Sequence, residues 1–158
     1  MSIEMKGAGF LFVCKINEEW NVLTLLDCYG KYDVPKGTID KGEKILSAAK
    51  RECFEETSIN VDTNMNIIRS WGDWDKDNNC YLFSKSSKGL ALYLSECNYD
   101  LLKDIHIVHN KKTKILEHEK AFFTTFYDFY LNSPNYLGEY IFLAKEKIKN
   151  NEQRTNKY

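Results

Sequence analysis

The apolar positions at the start of the chain predict a β-hairpin. Residues 8–16 form an apolar run that is rich in Phe and Val and has the length of a buried strand. Residues 20–26 predict its partner strand, and the polar residues 17–19 connect the two. Residues 29–35 are expected to be a loop that leads into Pro35-Lys36-Gly37. The expected start of the fold is therefore a hairpin followed by a loop.

Helical spacing replaces strand spacing in the next segment. From about residue 45 to residue 57, Leu46, Ala49 and Cys53 recur at the spacing of a core-facing stripe. Turn residues precede this helix, so Glu43 is expected near its N-terminus, where negative charge is favoured. Cys53 belongs to the apolar stripe, which indicates a small buried side chain rather than a nucleophile.

The second half of the chain predicts further strands and two more helices. The predicted strands are residues 67–74, 90–95 and 122–124, and the predicted helices are about residues 125–132 and 136–148. Thr125-Phe126-Tyr127-Asp128 resembles a capping signature, and Ser133-Pro134-Asn135 separates the two helices. Residues 149–158 form a polar C-terminal tail that is expected to fray. This order predicts an α/β/α sandwich around a mixed β-sheet, as a single domain over residues 1–148.

Composition is typical of a soluble globular protein. The 158 residues suit one domain with a single core, and 43% of them are hydrophobic and 28% charged. A formal net charge of −1 argues against a broad basic surface for duplex DNA. Five scattered cysteines without a CxxC pair indicate a reduced, intracellular setting. Because the sequence has no signal-peptide core and no run of about 20 apolar residues, we expect a cytoplasmic protein with no membrane partner.

Three carboxylates on the predicted helix are the strongest chemical signal. Glu52, Glu55 and Glu56 fall at i, i+3 and i+4, which places them within an arc of roughly 100° on one helical face. Like charges at this spacing repel one another by a few tenths of a kcal/mol. A hard divalent cation with oxygen ligands would offset that repulsion best. An ordinary solvated acidic helix is the alternative interpretation.

The spacing around these carboxylates resembles the Nudix box, G-x5-E-x7-R-E-U-x-E-E-x-G-U, in which U is aliphatic. Gly37, Glu43, Arg51 and the three glutamates all match this pattern. Two positions depart from it, because Cys53 stands where an aliphatic residue is usual and Ser58 replaces the second glycine. The resemblance implies the same α/β/α fold and a hydrolase that acts on phosphoric anhydrides.

The Nudix resemblance also implies a metal cofactor and roles for the box residues. Magnesium, with manganese as a substitute, would neutralise a pyrophosphate and lower the pKa of the attacking water. Arg51 is expected to orient the helix through a salt bridge with Glu43, and the small Ala48 to leave room beside the carboxylates. The implied metal ligands are Glu52, Glu55, Glu56 and the Gly37 carbonyl, and Glu55 and Arg51 are also counted as catalytic.

Two further stretches are similar to the asymmetric dinucleoside tetraphosphate hydrolases within the Nudix family. They are Val34-Pro35-Lys36-Gly37 and residues 116–122. Glu117 is the favoured carboxylate outside the box, as a further metal ligand or as the general base; Glu119 is the alternative, and His118 is expected to point the other way. In that subfamily tyrosines clamp an adenine and lysines contact the phosphate chain. The positions implied to bind substrate are Lys36, Lys88, Tyr29, Tyr81 and Tyr136.

The favoured hypothesis is hydrolysis of a pyrophosphate bond in a nucleoside diphosphate linked to another moiety. Diadenosine tetraphosphate, a small-molecule nucleotide, is the favoured substrate and would give ATP and AMP. Removal of pyrophosphate from RNA 5′ ends and hydrolysis of diphosphoinositol polyphosphates or nucleoside triphosphates are alternatives. The lysine-rich segment 110–114 keeps the RNA and diphosphoinositol alternatives open. The non-enzymatic alternative is a nucleotide-sensing binding module, although such modules commonly lack box carboxylates that this chain retains.

Overall fold

A mixed β-sheet organises residues 4–63, 68–70, 82–83, 89–107 and 118–156, which are the part of the chain that the computed structural model describes. In that part the strands are β1 (Gly7–Ile16), β2 (Glu19–Asp27), β3 (Tyr32–Asp33), β4 (Lys36–Thr38), β5 (Ile68–Ser70), β6 (Leu82–Phe83), β7 (Leu90–Cys97) and β8 (His118–Thr125). Their order is β3-β2-β1-β7-β5, with β4 paired to β1, β6 to β7 and β8 to β2. The pair β1–β7 is parallel and the pair β1–β2 is antiparallel, so the sheet is mixed as predicted.

The first hairpin closes through the two residues Asn17 and Glu18. Their φ angles are 50° and 68°, which is the left-handed conformation that two-residue hairpin turns require. Ile16 then pairs with Glu19, one residue earlier than the predicted start of β2. The predicted hairpin is confirmed, with a tighter turn than the sequence suggested.

Helices cover both faces of the sheet. Helix α1 (Ile45–Thr57) packs on one face, and α2 (Phe126–Asn132) and α3 (Asn135–Asn156) pack on the other. A hydrophobic core lies on each face of the sheet, and successive residues of β1 point into the two cores alternately. Phe10 and Phe12 face α1, whereas Leu11 faces α2 and α3. This alternation explains why β1 is a continuous apolar run, and it confirms the predicted α/β/α sandwich.

The two departures of the box from its pattern have simple structural explanations. Cys53 is completely buried against the sheet, and burial raises the pKa of its thiol to about 12, so the prediction of a core residue is confirmed. Ser58 follows α1 in the left-handed conformation with φ of 66°, and its N–H donates to the Phe54 carbonyl. A serine therefore ends this helix where glycine is the usual choice.

Several short elements were missed or shortened by the sequence analysis. The predicted loop 29–35 contains β3, and a 3-10 helix (Tyr99–Asp104) follows β7. Segments of two to six residues carry too little periodicity to be recognised, and β3 forms because β2 offers it a partner. Strand β8 begins four residues before the predicted residue 122, whereas of the predicted strand 67–74 the structure describes only Ile68–Ser70, as β5.

The prediction that the chain frays from residue 149 is wrong. Helix α3 continues to Asn156, because Glu152 anchors its last turns to the first hairpin. The indole N–H of Trp20 donates to Glu152 Oε1 at 2.7 Å, and Lys15 Nζ lies 3.6 Å from the same oxygen. None of the helices in the described part of the chain is both long and apolar enough to span a bilayer.

Candidate active site

The box helix α1 presents its carboxylates to the short strand β4. Gly7, Ala8 and Gly9 of β1 pair with Thr38, Gly37 and Lys36, which fixes β4 beside the N-terminal half of β1. A Cβ atom placed on Gly37 would overlap the carboxylate of Glu52. The glycine is therefore required for close approach, because any side chain would push Glu52 away from the strand.

Arg51 is the centre of an ion-pair network on the solvent side of α1. Its guanidinium binds Glu43 through two hydrogen bonds, Nε to Oε2 at 2.8 Å and Nη2 to Oε1 at 2.9 Å. Nη1 donates to Glu52 at 2.9 Å and to Glu55 at 3.2 Å, and Nη2 also donates to the Thr38 carbonyl at 2.8 Å. The predicted Arg51–Glu43 pair is thus present, and it ties the segment before α1 to the helix itself.

Charge pairing shifts the pKa values of this network in the expected directions. Hydrogen bonds from Arg51, and then the backbone N–H of Asp40, lower the pKa of Glu43 to about 2. The pKa of Arg51 is raised, chiefly by its hydrogen bond to Glu43 and further by Glu52. Both groups are therefore held in their charged forms across the physiological range.

A second and more buried cluster surrounds Lys36 of β4 and Asp33 of β3. Lys36 Nζ lies 3.1 Å from Asp33 Oδ1, and the two side chains are 19% and 16% exposed. Burial alone would lower the pKa of Lys36, but the charge of Asp33 and the interaction with Tyr136 outweigh it and raise the pKa. The Lys36 ammonium also lies 5.6 Å from the centre of the Tyr136 ring. Two predicted substrate residues, Lys36 and Tyr136, are therefore neighbours.

His118 connects this cluster to the box. Its Nε2 lies 3.2 Å from Asp33 Oδ2, and its Nδ1 lies 3.9 Å from Glu56 Oε2. Burial would raise the pKa of Asp33, but the hydrogen bond with His118 and the charge of Lys36 outweigh it and lower the pKa. The backbone N–H of Lys36 also donates to Glu56 Oε2, at 3.4 Å. Glu56 is thus contacted from two directions.

Strand alternation was correct for β8, but its consequence was not foreseen. His118 is buried and Glu119 is exposed, so the two point to opposite sides as predicted. The buried side is the side of Glu56, so His118 rather than Glu119 contacts the box. The sequence does not predict a role for Asp33, because its i, i+3 spacing from Lys36 is the only signal there and is too weak to indicate a contact.

The remaining predicted residues lie in different parts of the structure or outside its described residues. Tyr29 lies in the turn after β2 and is 87% exposed, whereas Tyr136 at the start of α3 contacts Lys36. Ala48 is fully buried in the core between α1 and the sheet, so its small size serves helix packing. Glu117, Lys88 and Tyr81 lie outside the described residues.

The donor groups at this site suit a hard cation. Glu52 and Glu56 flank residues 36 and 37 with carboxylate oxygens, and Gly37 leaves space that any side chain would fill. Within the described ranges no three His, Cys, Asp or Glu side chains are grouped tightly enough to hold a metal ion, and Glu55 is paired with Arg51. Two carboxylates with oxygen donors alone suit a hard divalent cation that completes its shell with water and phosphate oxygens.

Comparison with known proteins identifies a domain and two sets of relatives. The NUDIX domain pattern matches residues 7–106. An RNA pyrophosphohydrolase of Bartonella bacilliformis is 31% identical over 94 residues, which are 55% of this chain and 51% of that protein. An RNA pyrophosphohydrolase of Azorhizobium caulinodans is 38% identical over 50 residues, 32% of this chain and 30% of that protein. The chain therefore spans at most about half the length of these curated relatives.

Solved structures share the whole fold at low identity. A binary complex of the C. elegans Ap4A hydrolase superposes with a TM-score of 0.63. The match covers 92% of this chain and 99% of that one, at 20% identity. At this identity the likeness establishes the fold.

Proposed function

Since the chain belongs to the NUDIX family, we propose that it is a metal-dependent pyrophosphohydrolase. Its reaction is hydrolysis of a pyrophosphate bond in a nucleoside diphosphate linked to another moiety. The observation that carries this proposal is the placement of the Glu52 carboxylate against Gly37 and of the Glu56 carboxylate against the backbone N–H of Lys36. The two carboxylates would hold the cation, and the Lys36 ammonium, which is paired with Asp33, would meet phosphate oxygens.

The residues of the site divide the work of binding and orientation. When bound, Mg²⁺ or Mn²⁺ would neutralise the phosphates and lower the pKa of an attacking water. The proposed ligands of the metal ion are Glu52, Glu55, Glu56 and the Gly37 carbonyl. Lys36 would contact the phosphate chain as a point charge. Arg51 would keep α1 in register with β4, because its guanidinium joins Glu43, Glu52 and the Thr38 carbonyl. Glu55 and Glu117 remain the proposed candidates for the general base.

Diadenosine tetraphosphate is the substrate we favour. Support comes from Tyr136, which is 43% exposed and whose ring lies beside the Lys36 ammonium, so that a base stacked on it would direct a phosphate chain towards the box. Tyr29, Tyr81 and Lys88 are proposed to complete the binding of the two nucleosides and the phosphate chain. Attack by water on one phosphorus would give ATP and AMP.

Removal of pyrophosphate from RNA 5′ ends is the second candidate. Both curated relatives carry that activity in their names, although each match covers only part of either chain. The same carboxylates and Lys36 would serve this reaction, since both substrates present a 5′-linked polyphosphate. Hydrolysis of diphosphoinositol polyphosphates is a third alternative, but the basic residues 110–114 that suggested it lie outside the described residues.

A single comparison separates these candidates. Purified protein with Mg²⁺ would be given diadenosine tetraphosphate and 5′-triphosphorylated RNA at equal concentration, in water enriched with heavy oxygen. We expect ATP and AMP from the dinucleotide, with the label in one product only. Two ADP as the main product, or faster turnover of the RNA, would reject the favoured substrate. Glu146→Gln serves as the matched control for box variants, because Glu146 is an exposed helical glutamate on α3.

No turnover of any pyrophosphate substrate would instead reject the enzymatic proposal. The nucleotide-sensing module would then be the surviving hypothesis. Binding of a nucleotide without hydrolysis, measured by calorimetry, would support that module.

A further inference from the structure

Asp33 occupies the centre of the buried cluster beside the box. Its Oδ1 accepts a hydrogen bond from the backbone N–H of Val34 at 2.8 Å and lies 3.1 Å from Lys36 Nζ. Its Oδ2 lies 3.2 Å from His118 Nε2. A single carboxylate therefore holds the turn into β4, the side chain of Lys36 and the ring of His118.

Both residues that Asp33 holds contact Glu56, His118 through its ring and Lys36 through its backbone. Lys36 donates its backbone N–H to Glu56 Oε2 at 3.4 Å, and His118 places Nδ1 3.9 Å from the same oxygen. The side chains of His118 and Glu56 are only 6% and 10% exposed, so this contact is largely shielded from solvent. Two of the contacts that Glu56 makes thus lead back to Asp33.

The sheet fixes the components of this arrangement. Leu25 of β2 pairs with Asp33 of β3, and Asp27 of β2 pairs with His118 of β8. The register of β2 with β8 shifts between Leu26 and Asp27, so His118 lies just beyond an irregularity of the pairing. Strand β2 therefore carries Asp33 and His118 on its two edges and brings them within hydrogen-bond distance over Glu56.

We infer that Asp33 is a positioning residue that orients Glu56 for metal binding, through His118 on one side and through Lys36 and its turn on the other. This inference rests on the proposed function, since it takes Glu56 as a ligand of the divalent cation. Groups that orient metal ligands commonly matter almost as much as the ligands, and their loss costs roughly 10–100-fold in metal affinity. Asp33 itself touches neither the metal nor the substrate in this scheme.

Binding of Mn²⁺ to the substrate-free protein tests the inference without any turnover. The free ion would be followed by electron paramagnetic resonance, and folding of each variant by circular dichroism. Asp33→Asn removes the charge, and Asp33→Glu keeps the charge but moves it along the chain by one methylene. We expect both variants to weaken Mn²⁺ binding by about tenfold or more, because position as well as charge is required.

Two control variants separate position from charge. Asp40→Asn removes a carboxylate that lies 3.6 Å from Arg51 and is 69% exposed, so it measures the effect of lost charge near the box. Asp100→Asn breaks an exposed i, i+3 pair with Lys103, the same spacing as Asp33 and Lys36, but in the 3-10 helix. We expect Asp40→Asn to change Mn²⁺ affinity by less than about threefold, since exposed charges are screened, and Asp100→Asn to leave it unchanged.

A further variant guards against failure of the Asp33 variants to fold. His118→Gln removes the imidazole while leaving the Asp33–Lys36 pair in place, and we expect it to weaken Mn²⁺ binding by about tenfold as well. Wild-type affinity in Asp33→Glu or in His118→Gln would overturn the inference, and so would a wild-type protein that binds no Mn²⁺. A protein that shows the expected binding pattern but hydrolyses no substrate would reject the proposed function and leave the inference standing. An active protein whose variants all bind Mn²⁺ normally would reject the inference alone.

Discussion

The two ion-pair clusters, one around Arg51 and one around Asp33, differ in charge balance and in burial. Around Arg51, one guanidinium faces Asp40, Glu43, Glu52 and Glu55, and two of these carboxylates are 69% and 54% exposed. Around Asp33, the side chains of Lys36, His118 and Glu56 are 19% exposed or less. The first cluster has a surplus of negative charge near the surface, whereas the second is largely shielded from solvent and pairs Asp33 with the Lys36 ammonium.

This difference indicates how the two clusters divide the work of the site. Surplus carboxylates near solvent attract cations and can exchange partners, since each exposed pair contributes only about 0–1 kcal/mol. A buried pair is held firmly, because removal of one partner would leave the other charge unpaired in the interior. We therefore expect the Arg51 cluster to respond to salt, pH and metal ions, and the Asp33 cluster to remain fixed while they change.

Glu56→Gln should give the largest effect, because Glu56 is the point at which the buried cluster meets the proposed metal site. The substitution keeps the shape and removes the charge of a proposed ligand. We expect less than about a tenth of the wild-type rate at saturating Mg²⁺, since metal terms contribute several kcal/mol. Turnover would be measured beside the Glu146→Gln control. A rate close to that of the wild type would remove Glu56 from the ligands.

Arg51→Lys should have a smaller effect, and on stability. Lysine keeps the positive charge but cannot form the two parallel hydrogen bonds to Glu43. We expect the free energy of unfolding in urea to fall by about 1–2 kcal/mol, the net contribution of the lost hydrogen bonds. Lys50→Met, also on α1, breaks an exposed pair with Asp62, which follows the helix, and should cost less than about 0.5 kcal/mol. An equal decrease in the free energy of unfolding in the two variants would show that the two parallel hydrogen bonds from Arg51 to Glu43 add no stability.

Acid should weaken the Arg51 cluster in a defined window. The folded pKa of Glu43 is about 2 and its ordinary value is 4.5, so its pairing stabilises the protein above pH 4.5 and is lost as the pH falls towards 2. Glu43→Gln should flatten the decrease in melting temperature over that range. High salt should likewise flatten the decrease in melting temperature of the wild type, because the screening length falls to about 3 Å at 1 M and the Arg51–Glu43 pairing is weakened. An identical acid profile in wild type and variant would contradict the lowered pKa of Glu43.

Ser58→Gly should produce the smallest change. Glycine would relieve the left-handed backbone at φ of 66°, which costs a non-glycine residue about 1 kcal/mol. The Ser58 hydroxyl, however, donates to the His106 carbonyl at 3.2 Å, and loss of that exposed hydrogen bond costs about as much. We expect a change below about 0.5 kcal/mol in the free energy of unfolding. A clearly lowered denaturation midpoint would show that the hydroxyl outweighs the backbone strain.

The sequence predicts long elements with strong periodicity, but not short elements or element ends that depend on contacts distant in the sequence. The first hairpin, α1 and the two C-terminal helices follow from apolar spacing that repeats over many residues. Strand β3 has two residues and exists because β2 pairs with it. The end of α3 depends on Trp20 and Lys15, which lie far from Glu152 in the sequence. Local pattern therefore predicts an element, and tertiary contacts determine where it ends.

The sequence by itself determined the box, because neighbours along one helix are set by its 3.6-residue period. Glu52, Glu55 and Glu56 share a face for that reason, and Arg51 reaches Glu55 one turn away. Only the tertiary structure decided that Asp33 and His118, 85 residues apart, would meet beside Glu56. Their meeting depends on which strands flank β2 and in which register, and hydrogen bonds between strands set this over distances that no local pattern spans.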